Sequence, residues 1–158
     1  MISLDFELHW GVRDKKTIQQ YGENIKGVHS VVPRLLKVFS NFNINATFST
    51  VGFLFFETKK ELLANVPGLL PNYSNKNLSP YAHFEFVGEI YSEDLFHFAP
   101  QLIDDIKKYL DHEIVSHTFS HYYCLEKGQT INDFIEDITA AINKFAVLRK
   151  HQNWSRNR

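Results

Sequence analysis

The chain has 158 residues, 44% of them hydrophobic and 22% charged, with a formal net charge of −1 at pH 7. That length fits one domain with a sizeable core, and the near-zero charge leaves no electrostatic footprint for nucleic acid or an anionic membrane surface. A single cysteine, Cys124, excludes an internal disulfide framework and reads as a bystander thiol of a reducing compartment. No run approaches the roughly 18 continuous apolar residues of a membrane span. Asp5, Glu7 and His9 interrupt the only apolar stretch at the N-terminus, which therefore does not read as a signal peptide. The expectation is a cytoplasmic chain with no membrane span. Aromatic residues make up 15%, which predicts bulky packing and rings available to stack on a ligand.

Residues 1–8 alternate, with Ile2, Leu4, Phe6 and Leu8 on one face and Ser3, Asp5 and Glu7 on the other. This is a strand period, and it puts two acids on one side of the first strand. His9-Trp10-Gly11 reads as a loop, and residues 12–24 as polar and irregular. Val28, Val31, Val32, Leu35, Val38, Phe39 and Phe42 then give a helical stripe between Ile25 and Phe42. Pro33 is tolerated near a first turn, so the helix proper is expected to start close to Ser30. After a turn at Asn43-Ile44-Asn45, residues 46–52 are β-branched and aromatic, a second, buried strand. A short helix is expected over Phe53–Leu63.

Residues 66–98 lack periodicity and carry Pro67, Pro71 and Pro80, the marks of a long loop. Its rings, Tyr81, Phe84, Phe86 and Tyr91, either pin the loop to the core or make it a substrate-contacting insertion. Leu102, Ile103, Ile106 and Leu110 predict a helix over Ala99–Leu110. Glu113 to Ser116 reads as a third strand. Thr130, with Asp133 three residues on, reads as the N-cap of a last helix. That helix is expected to carry Phe134, Ile138, Ile142 and Phe145 and to end near Leu148. The organisation is thus one α/β domain over residues 1–148 and a polar, basic tail over 149–158.

The chemistry concentrates at Ser116-His117-Thr118-Phe119-Ser120-His121, just after the third strand. Histidines four apart are neighbours if helical, with Cβ atoms roughly 5–6 Å apart. Strand C-termini are where ligands collect in α/β folds, and in a parallel sheet the acids of the first strand meet these histidines at one mouth. Two imidazoles, a carboxylate and an open position are the make-up of a catalytic zinc site. Thr118 stands where a zincin motif requires glutamate, which argues against that class.

These segments resemble the polysaccharide deacetylase family, the NodB-like carbohydrate esterases. Ser3-Leu4-Asp5-Phe6-Glu7 is similar to the family's acid-bearing first motif. Ala46-Thr47-Phe48-Ser49-Thr50-Val51-Gly52 is similar to its ATFF-x-x-G strand. Residues 112–121, His112 through His121, are similar to its HEIGSH-[ST]-x-x-H metal motif. The resemblance runs from Ile2 to Leu148 with the landmarks in family order.

It implies a deformed (β/α) barrel and hydrolytic removal of N-acetyl groups from a cell-surface or cell-wall saccharide by metal-activated water. His117 and His121 would be metal ligands, with Glu7 as the third and Asp5 as general base. The family's commonest motif has adjacent aspartates and Phe6 fills one of those places, so the roles of Asp5 and Glu7 are exchangeable. His9 and Trp10 would line the sugar site, or else pack as plain loop residues. Zinc is the default ion, with cobalt, nickel or iron suited to the same ligands.

The family's arginine-proline motif and late histidine are not found after His121, and His151 is not taken as the latter. The chain therefore reads as the first half to two-thirds of a catalytic domain, an incomplete barrel whose exposed sheet edges leave homo-oligomerisation open. Two alternatives remain at this point. One is a non-catalytic remnant acting as a sugar-binding or assembly partner, and the other a metal-dependent amidohydrolase of small cyclic amides.

Overall fold

A computed structural model describes residues 2–151, with side chains described through residue 146. In chain order the elements are β1 (Ile2–Phe6), α1 (Ile18–Asn41), β2 (Ala46–Thr50), α2 (Lys59–Ala64), α3 (Pro100–Lys107), β3 (Glu113–Ser116) and α4 (Ile131–His151). The three strands form one parallel sheet in the order β1-β2-β3. Asp5 lies opposite Ser49, and Ser49 opposite Val115. This is a mixed α/β fold, and among the described residues the sheet does not close into a barrel. The outer edges of β1 and β3 carry no strand partner among those residues. No helix among them is long and apolar enough to cross a membrane.

Period-two alternation on β2 buries Ala46, Phe48 and Thr50. Phe6 and Phe48 join Ile25, Val32, Leu36 and Phe39 of α1 and Leu102, Ile103 and Ile106 of α3 in one apolar cluster. Each such side chain taken fully out of water contributes roughly 1.5–3 kcal/mol. The opposite face of the sheet carries Ser3, Asp5 and Glu113, all exposed.

Several elements differ from their sequence expectation for identifiable reasons. Helix α1 starts at Ile18, well before Ser30, because Thr17 and Gln20 form a reciprocal capping box. Pro33 then sits inside the helix. It faces solvent, so the carbonyl it leaves unbonded is open to water. The helix expected over 53–63 is divided: Gly52–Phe55 is a 3-10 turn, and α2 begins only after the Thr58 cap. Helix α3 ends at Lys107, leaving Leu110 91% exposed. Among the described side chains of α4 the buried positions are Asp133, Asp137 and Ala141, while Ile142 of the expected stripe is exposed. The same helix runs on to His151, past its expected end near Leu148. Residues 152–158 lie outside the described residues.

The long segment after α2 is tied to the core by its rings. Tyr81 and Phe84 pack on Phe53 with ring centroids 5.9 and 5.6 Å away, whereas Phe86 is exposed. His97, Asp94 and Phe96 of this segment also fasten the 3-10 turn Leu8–Gly11 that follows β1. The Trp10 indole donates to the His97 carbonyl at 2.9 Å, and the His9 backbone N–H donates to the Phe96 carbonyl. Thus the loop that lacks periodicity positions the end of β1.

Candidate metal centre

Glu7 lies one residue past the end of β1, where the backbone has already left strand conformation. His117 lies one residue past β3, its N–H bonded to the Thr50 carbonyl at 2.9 Å. His121 comes from the loop that follows. The Nε2 atoms of His117 and His121 stand 3.2 and 2.9 Å from the same Glu7 oxygen, Oε2. One ligand atom from each of the three residues lies within 4.8 Å of the others. Donors on a tetrahedral ion with bonds of 2.0–2.1 Å are roughly 3.3 Å apart. The set fits a divalent transition ion with only a slight spreading of the side chains. Glu7, His117 and His121 are each 15–34% exposed, which leaves an open side for a further ligand.

The two histidines meet on a loop and not on a helix. Residues 117–121 form an irregular loop in which Thr118 and His121 adopt left-handed backbone, with φ of 64° and 55°. Non-glycine residues there cost roughly 1–2 kcal/mol each, so the loop requires external supports. Thr118 and Phe119 carbonyls accept from the Gly52 and Phe53 N–H groups, each at 3.0 Å. The Thr118 hydroxyl accepts from the Tyr122 N–H at 2.8 Å.

From α4, the carboxylate of Asp137 accepts the Phe119 N–H at 2.8 Å, the Ser120 N–H at 3.2 Å and the Ser120 hydroxyl. Asp137 is 1% exposed, and burial raises its pKa against the effect of these bonds.

Two glycines make room for this arrangement. A Cβ on Gly11 would collide with Cδ and Oε1 of Glu7. A Cβ on Gly52 would stand 2.6 Å from the Phe119 ring and 2.9 Å from Phe119 Cα.

The electrostatics bind the triad together even without an ion. Burial works to raise the Glu7 pKa, but hydrogen bonds from His117 and His121 and their charge outweigh it and bring it to about 2. The His117 pKa is raised, first by its hydrogen bond to Glu7, against burial, and further by the charges of Glu7 and Asp5. Asp5 is exposed on β1. It is close enough to act on His117 through its charge but is not among the three converging ligands.

The outer contacts of the two imidazoles differ. His117 Nδ1 stands 3.4 Å from the Ser49 hydroxyl, which can donate a hydrogen bond to it or accept one from it. His121 Nδ1 stands 3.3 Å from an N–H of Arg13. Arg13 is 5% exposed and also donates to the carbonyls of Trp10, Leu78 and His121.

His9 and Trp10 sit in the interior, 5% and 0% exposed. His9 Nδ1 is 3.1 Å from His97 Nε2, and His97 Nδ1 donates to Asp94 at 2.7 Å. Their contacts are those of loop packing, and they present no open surface to a sugar. Cys124 is exposed and stands outside the triad.

Sequence reasoning did not single out Arg13, Gly11 or Asp137. A buried aspartate in mid-helix looks like any polar helix residue until its partners are known. Compared with family models, with curated proteins and with solved structures, the chain has no match.

Proposed function

We propose that the chain is a metal-dependent hydrolase of the polysaccharide deacetylase type, removing N-acetyl groups from a cell-surface or cell-wall saccharide. The observation that carries this reading is the convergence of Glu7, His117 and His121 from the ends of β1 and β3. These are the same residues that the sequence resemblance names as ligands. The parallel order β1-β2-β3 with intervening helices agrees with the opening part of a deformed (β/α) barrel.

Glu7, His117 and His121 would hold one ion, zinc by the nature of the donors. When bound, the ion supplies Lewis acidity that polarises an acetamide carbonyl and acidifies water. Asp5 is the general base: its exposed carboxylate lies on the side of His117 and takes the proton from the attacking water. Glu7 is held as an anion by the two imidazoles, so it is ready to ligate rather than to titrate. Asp137 and the supports from β2's end keep His117 and His121 at their separation.

The test is acetate release from N-acetylated oligosaccharides by zinc-loaded protein. Release is expected, to be abolished by a chelator and lowered roughly 10²-fold or more in Asp5→Asn, with metal content unchanged. Full zinc occupancy with no acetate released from any N-acetylated oligosaccharide, while small cyclic amides are hydrolysed, would transfer the site to the amidohydrolase reading. Full occupancy with no hydrolysis at all would make the site a binding one.

A further inference from the structure

Helix α4 is apolar along one side. At about 100° per residue, Ile131, Phe134 and Ile135, and again Ile138, Ala141 and Ile142, share an arc of about 120°. Such an arc ordinarily faces the body of the protein. Here Asp137 faces it, drawn in by the Phe119 and Ser120 N–H groups and the Ser120 hydroxyl, with Asp133 and Ala141 buried beside it. The helix is thereby rolled, and the inner margin of its apolar arc touches the body. Phe134 packs on Tyr122 and Phe145 on Phe55, with ring centroids 5.4 and 4.8 Å apart. The outer margin, Ile131, Ile135 and Ile142, is 68, 53 and 62% exposed. Leu125, 95% exposed, extends this stripe across a shallow groove that it lines with Ile131 and Phe134.

We propose that the outer margin of α4 is a homodimer interface, in which α4 pairs antiparallel with α4 of a second copy about a two-fold axis. Charge favours a second copy as the occupant. The exposed positions that flank the stripe are Asn132, Glu136, Thr139 and Asn143, so two identical faces meet without rows of like charge. A lipid surface would call for Lys or Arg on this flank. Lys144 of the same helix instead lies over the Phe56 ring, 3.8 Å from its centroid. The register fits as well. An axis between Ile138 and Thr139 sets Ile135 of each copy against Ile142 of the other, the reciprocal contact that a two-fold requires. It also leaves the two Glu136 side chains on opposite sides of the axis.

The area suits a weak, reversible dimer. Side chains of this size carry roughly 60–120 Å² of apolar surface. The exposed parts of Leu125 and the three isoleucines thus give roughly 200–300 Å² per copy. With the polar rim that surrounds such a core, two copies bury roughly 700–1,100 Å² in all, near the lower limit of a specific interface. This association depends neither on a metal ion nor on the proposed hydrolase activity.

The test is sedimentation velocity on the full chain. Wild type should be dimeric at about 100 µM and dissociate on dilution, as an interface of this size allows. Ile135→Lys and Ile142→Glu lie at exposed positions, and each should weaken association about tenfold or more with the circular dichroism spectrum unchanged. Mixed together, the two variants should associate again, because the introduced charges are opposite and meet at one of the two reciprocal contacts. A wild type that is monomeric at that concentration overturns the proposal. If that monomer sediments with vesicles of phosphatidylcholine and phosphatidylserine, the stripe belongs to a lipid surface instead. A dimer that persists in both variants also overturns it and places the association at the open edges of the sheet. So does a mixture of the two folded variants that stays monomeric. Where one variant does not fold, wild type and the other variant decide.

Discussion

Asp137→Asn removes the one carboxylate that holds the loop between the two histidine ligands. The wild-type side chain takes the Phe119 and Ser120 N–H groups and the Ser120 hydroxyl in a site that is 1% exposed. An amide of the same shape keeps one oxygen acceptor and turns an NH₂ toward donors, so at least one buried donor loses its partner. A buried donor left unpaired costs about 1–3 kcal/mol. Part of that is offset, because Asp137 itself is held against its desolvation.

The net expectation is a folded protein less stable by about 1–2 kcal/mol. Loosening a ligand-bearing loop that has two left-handed residues also weakens zinc binding, by about 10- to 100-fold. Denaturant unfolding of the metal-free protein and calorimetric zinc titration measure the two effects separately. Unchanged zinc affinity in a variant shown to be destabilised would refute the view that Asp137 supports the centre.

The other predictions follow from single contacts. Gly11→Ala places a methyl group where the Glu7 carboxyl lies. Zinc binding should fall about tenfold or more while the melting temperature of the metal-free protein moves little, because the displaced group is the end of a side chain. Gly52→Ala presses on Phe119 at ring and backbone and should cost about 1–3 kcal/mol in denaturant unfolding.

In metal-free protein, Glu7 adds stability that is fully present above its ordinary 4.5 and lost as pH falls toward about 2. The folded-state pKa is the lower one, so the unfolded chain binds more protons in that window and stability falls with pH. The contribution is on the order of 2 kcal/mol after discounting for partial exposure, and Glu7→Gln should flatten that part of the pH–stability curve. Pro33→Ala restores a helix hydrogen bond on the solvent face of α1. It should raise stability by about 1 kcal/mol or more in thermal unfolding.

The parts of this protein that were legible in its sequence are those with a local signal. Alternation marked β1, β-branched and aromatic content marked β2, and the histidine pair after a short apolar run marked the end of β3. That the acids of β1 and the two histidines meet at one mouth was readable because parallel strands bring their C-terminal ends together, whereas the choice of Glu7 over Asp5 as the third ligand came only from the family resemblance. The start of α1 was missed, because the Thr17 and Gln20 capping box lies in a polar stretch without an apolar stripe and Pro33 reads as a first-turn residue. A proline on the solvent face removes a bond that water can replace, so it need not end a helix.

What could not be read depends on contacts distant in sequence. Asp137 reaches back 17 and 18 residues to Ser120 and Phe119, and Arg13 reaches 108 residues to His121. Neither has a local pattern. His9 and Trp10 follow the acids closely in sequence, which suggested a place at the sugar site. Their surroundings are instead made by Asp94 and His97, residues from a loop whose only sequence signal was its lack of periodicity.

The central claim is that Glu7, His117 and His121 hold one metal ion. Equilibrium dialysis of folded wild type and folded His117→Ala against zinc, with metal quantified per chain, tests it most directly. The claim predicts about one zinc per wild-type chain and a loss of that zinc in His117→Ala. A folded wild type that retains none, or a variant that retains as much as wild type, would contradict it.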